Sequence, residues 1–336
     1  MTHSEFVRRT DTGRIGRLLL DRPAALNALD PGMIRALHAG LDAFAARPEI
    51  HAVAVAGAGG RAFCAGGDIR AVRAQALAGD MASVRAFFAE EYALNAAIAA
   101  FPIPYVALID GICMGGGIGI SVHGDIRVAT EAALFAMPET GIGLFPDVGG
   151  SYFLPRLPGA LGFYLGLTGA RLSGADAVHA GLATHFVPRA GLAALEADLA
   201  RDGVAAIARH AAPLPPFSLA PHQAAIDRCF GGASLPAILA ALEAEDTEWA
   251  HATLTTLRAM SPASLLWSHR LLREGAHRHL GACLDAELAL VLRVTRHPDF
   301  AEGVRAMLVD KDRKPVWTHA SVAEVPAAEI ERLFQP

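Results

Sequence analysis

The segment from Gly111 to Gly150 constrains the fold and the chemistry of this chain more than any other. It combines three consecutive glycines, Gly115 to Gly117, with two isolated carboxylates, Glu139 and Asp147, among mostly apolar residues. The N–H groups in the first turn of a helix have no intrahelical acceptors, and glycines let a ligand approach them closely. The segment therefore predicts backbone amides that hold an oxyanion and carboxylates that perform proton transfer or nucleophilic chemistry beside it.

A second glycine-rich turn occurs earlier, in the sequence CAGGD from Cys64 to Asp68. It follows a buried-strand pattern at His51 to Gly57, just as the glycine triplet follows one at Tyr105 to Asp110. Because strand, glycine turn and helix start occur twice in this order, we expect both turns to converge on one ligand atom, with the Gly67 N–H as second donor. The alternative is that these glycines serve only tight turns and close helix packing.

The carboxylates also have ordinary alternatives when the residues are considered alone. Partial desolvation among apolar neighbours suits Glu139 and Asp147 to proton transfer. Equally, Glu139 could form a salt bridge and Asp147 could cap a helix. Glu91 lies on a long predicted helix, Asp80 to Ala100, where a carboxylate usually faces solvent.

Composition excludes several classes of protein. The 336 residues carry a formal net charge of −5 without a basic stripe interleaved with aromatic residues, so we expect no nucleic-acid partner. The four cysteines lack CxxC or histidine-rich spacing, which predicts no metal site, no disulfide framework and a reducing, cytoplasmic location. No apolar run reaches about 18 residues free of charge or strong polarity, as a transmembrane helix requires, so we expect no membrane partner. Ser121 and Ser151 lie in no GxSxG motif, which disfavours a serine hydrolase.

Hydrophobic periodicity divides the chain into a mixed α/β part and a helical part. Further strands are predicted at Arg14 to Asp21 and Leu182 to Val187, with short strands between Asp125 and Met137. Helices are predicted at residues 31–46, 80–100, 149–155, 160–168 and 173–180, and further helix starts at Ser261 and His297. Prolines cluster at residues 213–221, which predicts a boundary between a core over residues 1–210 and a mostly helical region over residues 211–336 that packs on it.

Three motifs together resemble the enoyl-CoA hydratase/isomerase (crotonase) superfamily: FCAGGDIR, GICMGGGIGIS and MPETGIGLFPDVGG. This resemblance extends from about Arg14 to Val187. Over nearly the whole chain, the motifs FFAEEYALN, FPDVGGSYFLPRL and FAEGVRAMLVDKDRKPVW are similar to the 3-hydroxyisobutyryl-CoA hydrolase branch of that superfamily. The resemblance implies a crotonase-like α/β fold of repeated ββα units with a helical C-terminal region. It also implies an acyl-CoA substrate and no separate cofactor, since CoA is part of the substrate.

The resemblance assigns roles to particular residues. It implies an oxyanion hole formed by the amides of Gly67 and Gly116. Hydratases of the superfamily activate water with two glutamates; Glu139 matches the second, but Gly119 occupies the position of the first. Asp147 stands where hydratases usually carry glycine and where the hydrolases carry an acid. The implied catalytic pair is therefore Glu139 and Asp147.

Three further residues receive roles from the resemblance alone. Glu91 is expected to contact the 3-hydroxyl or acyl end of the substrate, together with Gly116 and the catalytic acids. Arg22 and Lys311 match positions that often contact the phosphates or adenine of CoA. The resemblance leaves self-association open.

The function implied is hydrolysis of a short branched 3-hydroxyacyl-CoA, with 3-hydroxyisobutyryl-CoA in valine degradation as the favoured substrate. Glu139 would act either as nucleophile or as general base, and the sequence does not distinguish the two. One alternative is an enoyl-CoA hydratase or double-bond isomerase, which normally keeps an acid at the position of Gly119. Another is a non-catalytic acyl-CoA-binding protein, which would not need to retain both Glu139 and Asp147.

Overall fold

The computed structural model describes residues 4–335, which divide into two compact units. The first unit contains the described residues up to Asp68, together with Glu90–Ala136 and Arg171–Ser218. The second contains Ile69–Ala89, Met137–Ala170 and the described residues from Leu219 onward. The segment that carries Glu139 and Asp147 therefore belongs to the same unit as the C-terminal helices. The division into residues 1–210 and 211–336 follows chain order and stays a prediction.

The described residues form ten strands in two sheets, all in the first unit. They are β1 Val7–Thr12, β2 Ile15–Leu20, β3 Ala52–Gly57, β4 Ala62–Cys64, β5 Tyr105–Ile109, β6 Ile112–Met114, β7 Ile126–Ala129, β8 Leu134–Ala136, β9 Leu172–Ser173 and β10 His185–Phe186. The larger sheet has the order β1-β2-β3-β5-β7-β10, and the smaller has the order β4-β6-β8-β9. Pairing is parallel except between β1 and β2 and between β8 and β9.

Alternation of consecutive strands between the two sheets produces the repeated unit. β3, β5 and β7 are neighbours in the larger sheet, and each is followed along the chain by one short strand of the smaller sheet and then by helical structure. The ββα repeat that the resemblance implies is therefore confirmed. The residue patterns alone predicted glycine turns where β4 and β6 lie, because three-residue strands are too short to show periodicity.

Small apolar residues fix how the larger sheet packs. Ala52, Ala54 and Ala56 alternate along β3 and belong to one buried cluster with residues of β5 and β7. Small side chains on this face leave room for Leu195 and Leu199, which belong to the same cluster and lie on the helix Leu192–Asp202. The strand β1 was not predicted because its residues, VRRTDT, are mostly exposed and polar on an edge strand.

The described helices agree well with the sequence-based expectations. They are α1 Pro31–Ala45, α2 Ile69–Leu77, α3 Met81–Ala99, α4 Gly116–Val122, α5 Gly150–Phe153, α6 Leu161–Thr168, α7 Gly174–Ala180, α8 Leu192–Asp202, α9 Ile207–His210, α10 Gln223–Phe230, α11 Leu235–Glu245, α12 Glu248–Ala259, α13 Pro262–Gly275, α14 Leu280–Val294, α15 Pro298–Val304 and α16 Ala327–Phe334. Asp30 caps α1 by accepting from the Met33 N–H at 2.8 Å, and Ser261 and His297 occupy the N-caps of α13 and α15. All regular elements after β10, as far as residue 335, are helical, which confirms the helical C-terminal region.

Candidate active site

The amides of Gly67 and Gly116 lie side by side in the first unit. The Gly67 nitrogen is 3.2 Å from the point that a β-carbon on Gly116 would occupy. Backbone bonds from the Leu29 N–H to the Gly66 carbonyl and from the Asp68 N–H to the Leu29 carbonyl, both 2.8 Å, hold the Gly67 loop. Gly116 begins α4, so its N–H has no acceptor within the helix. Within residues 4–335 no backbone carbonyl accepts a hydrogen bond from either N–H, which leaves both donors available to a ligand.

Glu91 is buried against Gly116. It lies on α3 and is 2% exposed, and its carboxylate oxygen contacts the position where a β-carbon at Gly116 would be placed. The adjacent Glu90 instead faces outward, 33% exposed, and its carboxylate pairs with the Arg35 guanidinium at 2.7 Å. The alternative of a solvated Glu91 is therefore wrong, and a carboxylate stands beside the two amides.

Asn95 lies one helical turn beyond Glu91 and is not among the site residues predicted from the sequence. It is fully buried, and neither atom of its side-chain amide has a hydrogen-bond partner among the described residues. Residues four apart on a helix share a face, so Asn95 and Glu91 lie on the same side of α3. The signal available in the sequence was the four-residue spacing of these two polar residues within a mostly apolar helix.

The catalytic candidates Glu139 and Asp147 both belong to the second unit and are each 5% exposed. Glu139 begins a short 3₁₀ helix, Glu139–Ile142, and its carbonyl accepts from the Leu144 N–H at 3.0 Å. The Leu144 carbonyl in turn accepts from the Ser264 hydroxyl and, at 3.0 Å, from the Trp267 indole N–H. Because Ser264 and Trp267 lie on α13, the C-terminal helices hold the segment between the two acids in place.

The turn after Asp147 has an unusual backbone. Val148 has φ +52° and Gly149 has φ +83°. A left-handed conformation is unfavourable for a β-branched residue such as Val148, and it persists only where surrounding contacts enforce it. The Asp147 carbonyl accepts from the Gly150 N–H at 2.7 Å, and Gly149 rather than Asp147 occupies the N-cap of α5.

Glu287 supplies contacts that enforce this turn. It is fully buried on α14, and it accepts hydrogen bonds from the Gly149 N–H at 2.8 Å, the Ser151 N–H at 3.0 Å and the Ser151 hydroxyl at 2.5 Å. Burial raises the pKa of Glu287 to about 8; hydrogen bonds from Ser151 and Gly149 oppose that rise, and the nearby charge of Asp147 adds to it. Glu287 is not among the site residues predicted from the sequence. Its only sequence signal was a carboxylate at a position of α14 where helical periodicity expects an apolar residue.

Arg22 and Lys311 have different surroundings, each in its own unit. The Arg22 guanidinium donates to the Asp68 carboxylate at 3.1 Å and to the Ala28 carbonyl at 3.0 Å, and its side chain is 23% exposed. Lys311 is exposed, with φ +59°, shortly after a π-helical turn at Arg305–Val309. Contact of either residue with CoA stays a prediction.

The buried thiols near the glycine loops are poor nucleophiles. Cys64 on β4 and Cys113 on β6 face each other in the smaller sheet, and neither forms a disulfide. Burial raises the pKa of Cys64 to about 12 and also raises the pKa of Cys113, so the thiolate form is strongly disfavoured. Both residues are small core residues, as expected.

Two further features of residues 4–335 bear on the remaining expectations. None of the helices in this range combines the length and the apolar character needed to cross a bilayer. No group of three or more histidine, cysteine, aspartate or glutamate side chains in the same range is arranged to hold a metal ion. That catalysis needs no cofactor stays a prediction.

Comparison with known proteins relates the chain to one family. The family model described as enoyl-CoA hydratase/isomerase matches residues 15–334. A Xenopus tropicalis protein named mitochondrial 3-hydroxyisobutyryl-CoA hydrolase is 48% identical over 97% of this chain and 87% of its own length. The human protein of the same name is 44% identical over 96% of this chain and 86% of its own length.

Solved structures with other names share the fold. A carnitinyl-CoA dehydratase from Mycobacterium thermoresistibile has a TM-score of 0.95 at 40% identity, covering 99% of this chain and 97% of that one. An enoyl-CoA hydratase from Rhodobacter sphaeroides has a TM-score of 0.92 at 41% identity, covering 99% and 98%. The crotonase-like fold expected from the motifs is confirmed.

Proposed function

Since the chain belongs to the enoyl-CoA hydratase/isomerase family, we propose that it hydrolyses a short branched 3-hydroxyacyl-CoA thioester to the free acid and CoA. The favoured substrate is 3-hydroxyisobutyryl-CoA, the compound in the names of relatives at 48% and 44% identity. A role in valine degradation follows from that substrate. The cytoplasmic location is likewise part of the proposal, although those relatives carry the word mitochondrial in their names.

The observation that carries this proposal is the set of acids. Glu139 and Asp147 are eight residues apart and almost completely buried, whereas α4 has Gly119 where the hydratases carry their first glutamate. Hydration of a double bond would use two glutamates, and this chain lacks the first of them. Hydrolysis needs only one nucleophile or base and one acid that positions or protonates groups, and this chain retains both.

In the proposed reaction, the amides of Gly67 and Gly116 stabilise the negative oxygen that develops on the thioester carbonyl. Glu139 either attacks the carbonyl carbon to form a mixed anhydride or takes a proton from an attacking water. In both routes the C–S bond breaks when the tetrahedral intermediate collapses, and CoA leaves as a thiolate that takes up a proton. In the nucleophilic route water then hydrolyses the anhydride, which releases the free acid and restores Glu139. Asp147 positions or protonates groups during this collapse.

The remaining residues bind rather than react. Glu91 accepts a hydrogen bond from the 3-hydroxyl of the substrate, which distinguishes hydroxyacyl chains from plain ones. Arg22 and Lys311 contact the phosphates or adenine of CoA. CoA is part of the substrate, and the reaction uses no separate cofactor.

A hydratase or dehydratase is the second candidate, since the two solved structures named above carry those activities in their names at 40% and 41% identity. These enzymes change the absorbance of a conjugated double bond without releasing a thiol. A non-catalytic acyl-CoA-binding protein would do neither.

The decisive experiment measures thiol release and double-bond absorbance over a panel of acyl-CoAs, including 3-hydroxyisobutyryl-CoA. We expect thiol release that is lost in Glu139→Gln and Asp147→Asn but retained in Glu90→Gln, a surface control. Absorbance change without thiol release would replace the hydrolase by the hydratase, and unchanged turnover in both acid variants would refute the assigned mechanism. Single-turnover hydrolysis in oxygen-labelled water then tests the nucleophilic route, because label enters Glu139 only when water attacks the Glu139 carbonyl carbon of the anhydride.

A further inference from the structure

The backbone that presents Asp147 cannot hold its shape through local preferences alone. The left-handed Val148 directly follows Asp147, and its side chain is buried. Without external contacts, a valine at this position would relax toward an extended or helical conformation. Such a change would rotate the adjoining peptide and redirect the Asp147 carboxyl.

Glu287, 140 positions after Asp147, supplies one set of such contacts, to the residues that follow Val148. Its two carboxylate oxygens bind the N–H groups on either side of Gly150, those of Gly149 and Ser151, in addition to the Ser151 hydroxyl. Two oxygens of one rigid group thereby fix the spacing and orientation of two peptides in the turn. Gly275 of α13 packs directly against the same turn, because a β-carbon on Gly275 would collide with the Ser151 carbonyl.

A carboxyl at this position is costly to keep in the fold. Glu287 is surrounded on its own helix by the buried side chains Cys283, Leu284, Leu290 and Val291. An apolar residue would pack into that environment without desolvation, whereas a carboxyl must have every oxygen hydrogen-bonded. What the carboxyl adds is the set of bonds to the Asp147 turn.

We propose that Glu287 is a positioning residue for Asp147: the Glu287 carboxyl fixes the turn from Asp147 to Ser151 and thereby the direction of the catalytic acid. The charge of Asp147 contributes to the raised pKa of Glu287, which is consistent with two carboxyls close enough to interact. This inference rests on the proposed function, since it assigns Glu287 a role only through Asp147.

Glu287→Gln tests the inference with a change of nearly constant volume. Its amide NH₂ would face a backbone N–H, so one end of the turn loses its acceptor. We expect kcat for thiol release to fall at least tenfold, with KM changed less than threefold. Ser151→Ala removes only the hydroxyl donor and keeps both backbone bonds, so it should fold and lower kcat by a smaller factor. It provides the test if Glu287→Gln does not fold.

The matched control is Asp176→Asn in the first unit. Asp176 is also a buried carboxylate that binds the N–H and the hydroxyl of one serine, Ser218, both at 2.9 Å. It should lose stability in a similar way, with kcat within about twofold of the unmodified protein. An equal loss of kcat in this control would show that general destabilisation explains the effect, and would overturn the inference.

A double-mutant cycle separates positioning from mere structural support. If Glu287 acts through Asp147, Glu287→Gln should lower the residual kcat of Asp147→Asn less than twofold. A tenfold loss in both backgrounds would overturn the inference while leaving the proposed function intact. An Asp147→Asn variant with full activity would instead refute the proposed role of Asp147.

Discussion

The Glu91 carboxylate occupies the space that a side chain on Gly116 would need. A β-carbon on Gly116 would also lie only 3.2 Å from the Gly67 nitrogen, so its absence keeps that nitrogen uncrowded. Glycine is thus required at residue 116 by close approach, because its neighbours fill the position of a β-carbon. This relationship links a buried acid and both proposed oxyanion donors in one small volume of the first unit.

Gly116→Ala should therefore damage catalysis without unfolding the protein. The added methyl group must displace the Glu91 carboxylate and crowd the Gly67 amide, so we expect kcat to fall about 100-fold, the effect of losing one oxyanion donor. Thiol release and the thermal unfolding midpoint would be measured together. Gly281→Ala is the control, because a β-carbon there meets only ordinary contacts with the His279 ring. Equal activity in both alanine variants would contradict the crowding.

The neighbouring glutamates of α3 provide a matched pair of variants. Glu91→Gln replaces a buried carboxyl next to Gly116, and we expect kcat/KM for a 3-hydroxyacyl-CoA to fall about 10-fold, as for the loss of a buried hydrogen bond. Glu90→Gln removes only the exposed pair with Arg35 and should leave kcat/KM within about twofold. An acyl-CoA that lacks the hydroxyl should respond less to Glu91→Gln. The same loss for both substrates would argue against contact with the 3-hydroxyl.

The raised pKa of Glu287 predicts a specific dependence of stability on pH. Between the ordinary glutamate pKa of 4.5 and the folded value of about 8, the folded chain keeps a proton that the unfolded chain releases. Raising the pH across this window therefore lowers the free energy of unfolding, by up to about 1.4 kcal/mol per pH unit.

Urea unfolding at several pH values between about 5 and 9 checks this prediction, because the free energy of unfolding changes with pH wherever the two states bind different numbers of protons. Glu287 interacts electrostatically with the Asp147 carboxyl and with the Cys283 thiol. The informative quantity is therefore the difference in pH dependence between the unmodified chain and Glu287→Gln. Glu287→Gln should flatten the dependence. Parallel curves for the two proteins would mean that Glu287 ionises normally.

The buried amide of Asn95 makes a prediction about stability. A polar group that is buried without a hydrogen bond costs ~1–3 kcal/mol, and leucine has nearly the same shape without that cost. Asn95→Leu should therefore raise the midpoint of urea unfolding. A lowered midpoint would indicate that the amide is hydrogen-bonded in solution, for example to a buried water.

Much of the local structure was determined by the sequence alone. Capping residues such as Asp30, Ser261 and His297 mark the beginnings of helices through contacts within a few residues, so their effect is visible in a short window. The motifs around Gly67, Gly116 and Glu139 are sufficient to indicate the family. The glycine loops were also located correctly. Where another part of the chain approaches the backbone closely there is no room for a side chain, so glycine marks these positions in the sequence.

Tertiary structure decided what depends on residues distant in the chain. The strands β4, β6 and β8 have three residues each, and only their pairing with one another defines them. Because α3 is apolar on most sides, periodicity could not tell which of Glu90 and Glu91 is inside, and packing buried Glu91. Glu287 looked like one more helical glutamate until folding joined α14 to the turn of Asp147. A sequence records which acids a chain carries, but burial and hydrogen bonding are set by neighbours that only the folded chain brings together.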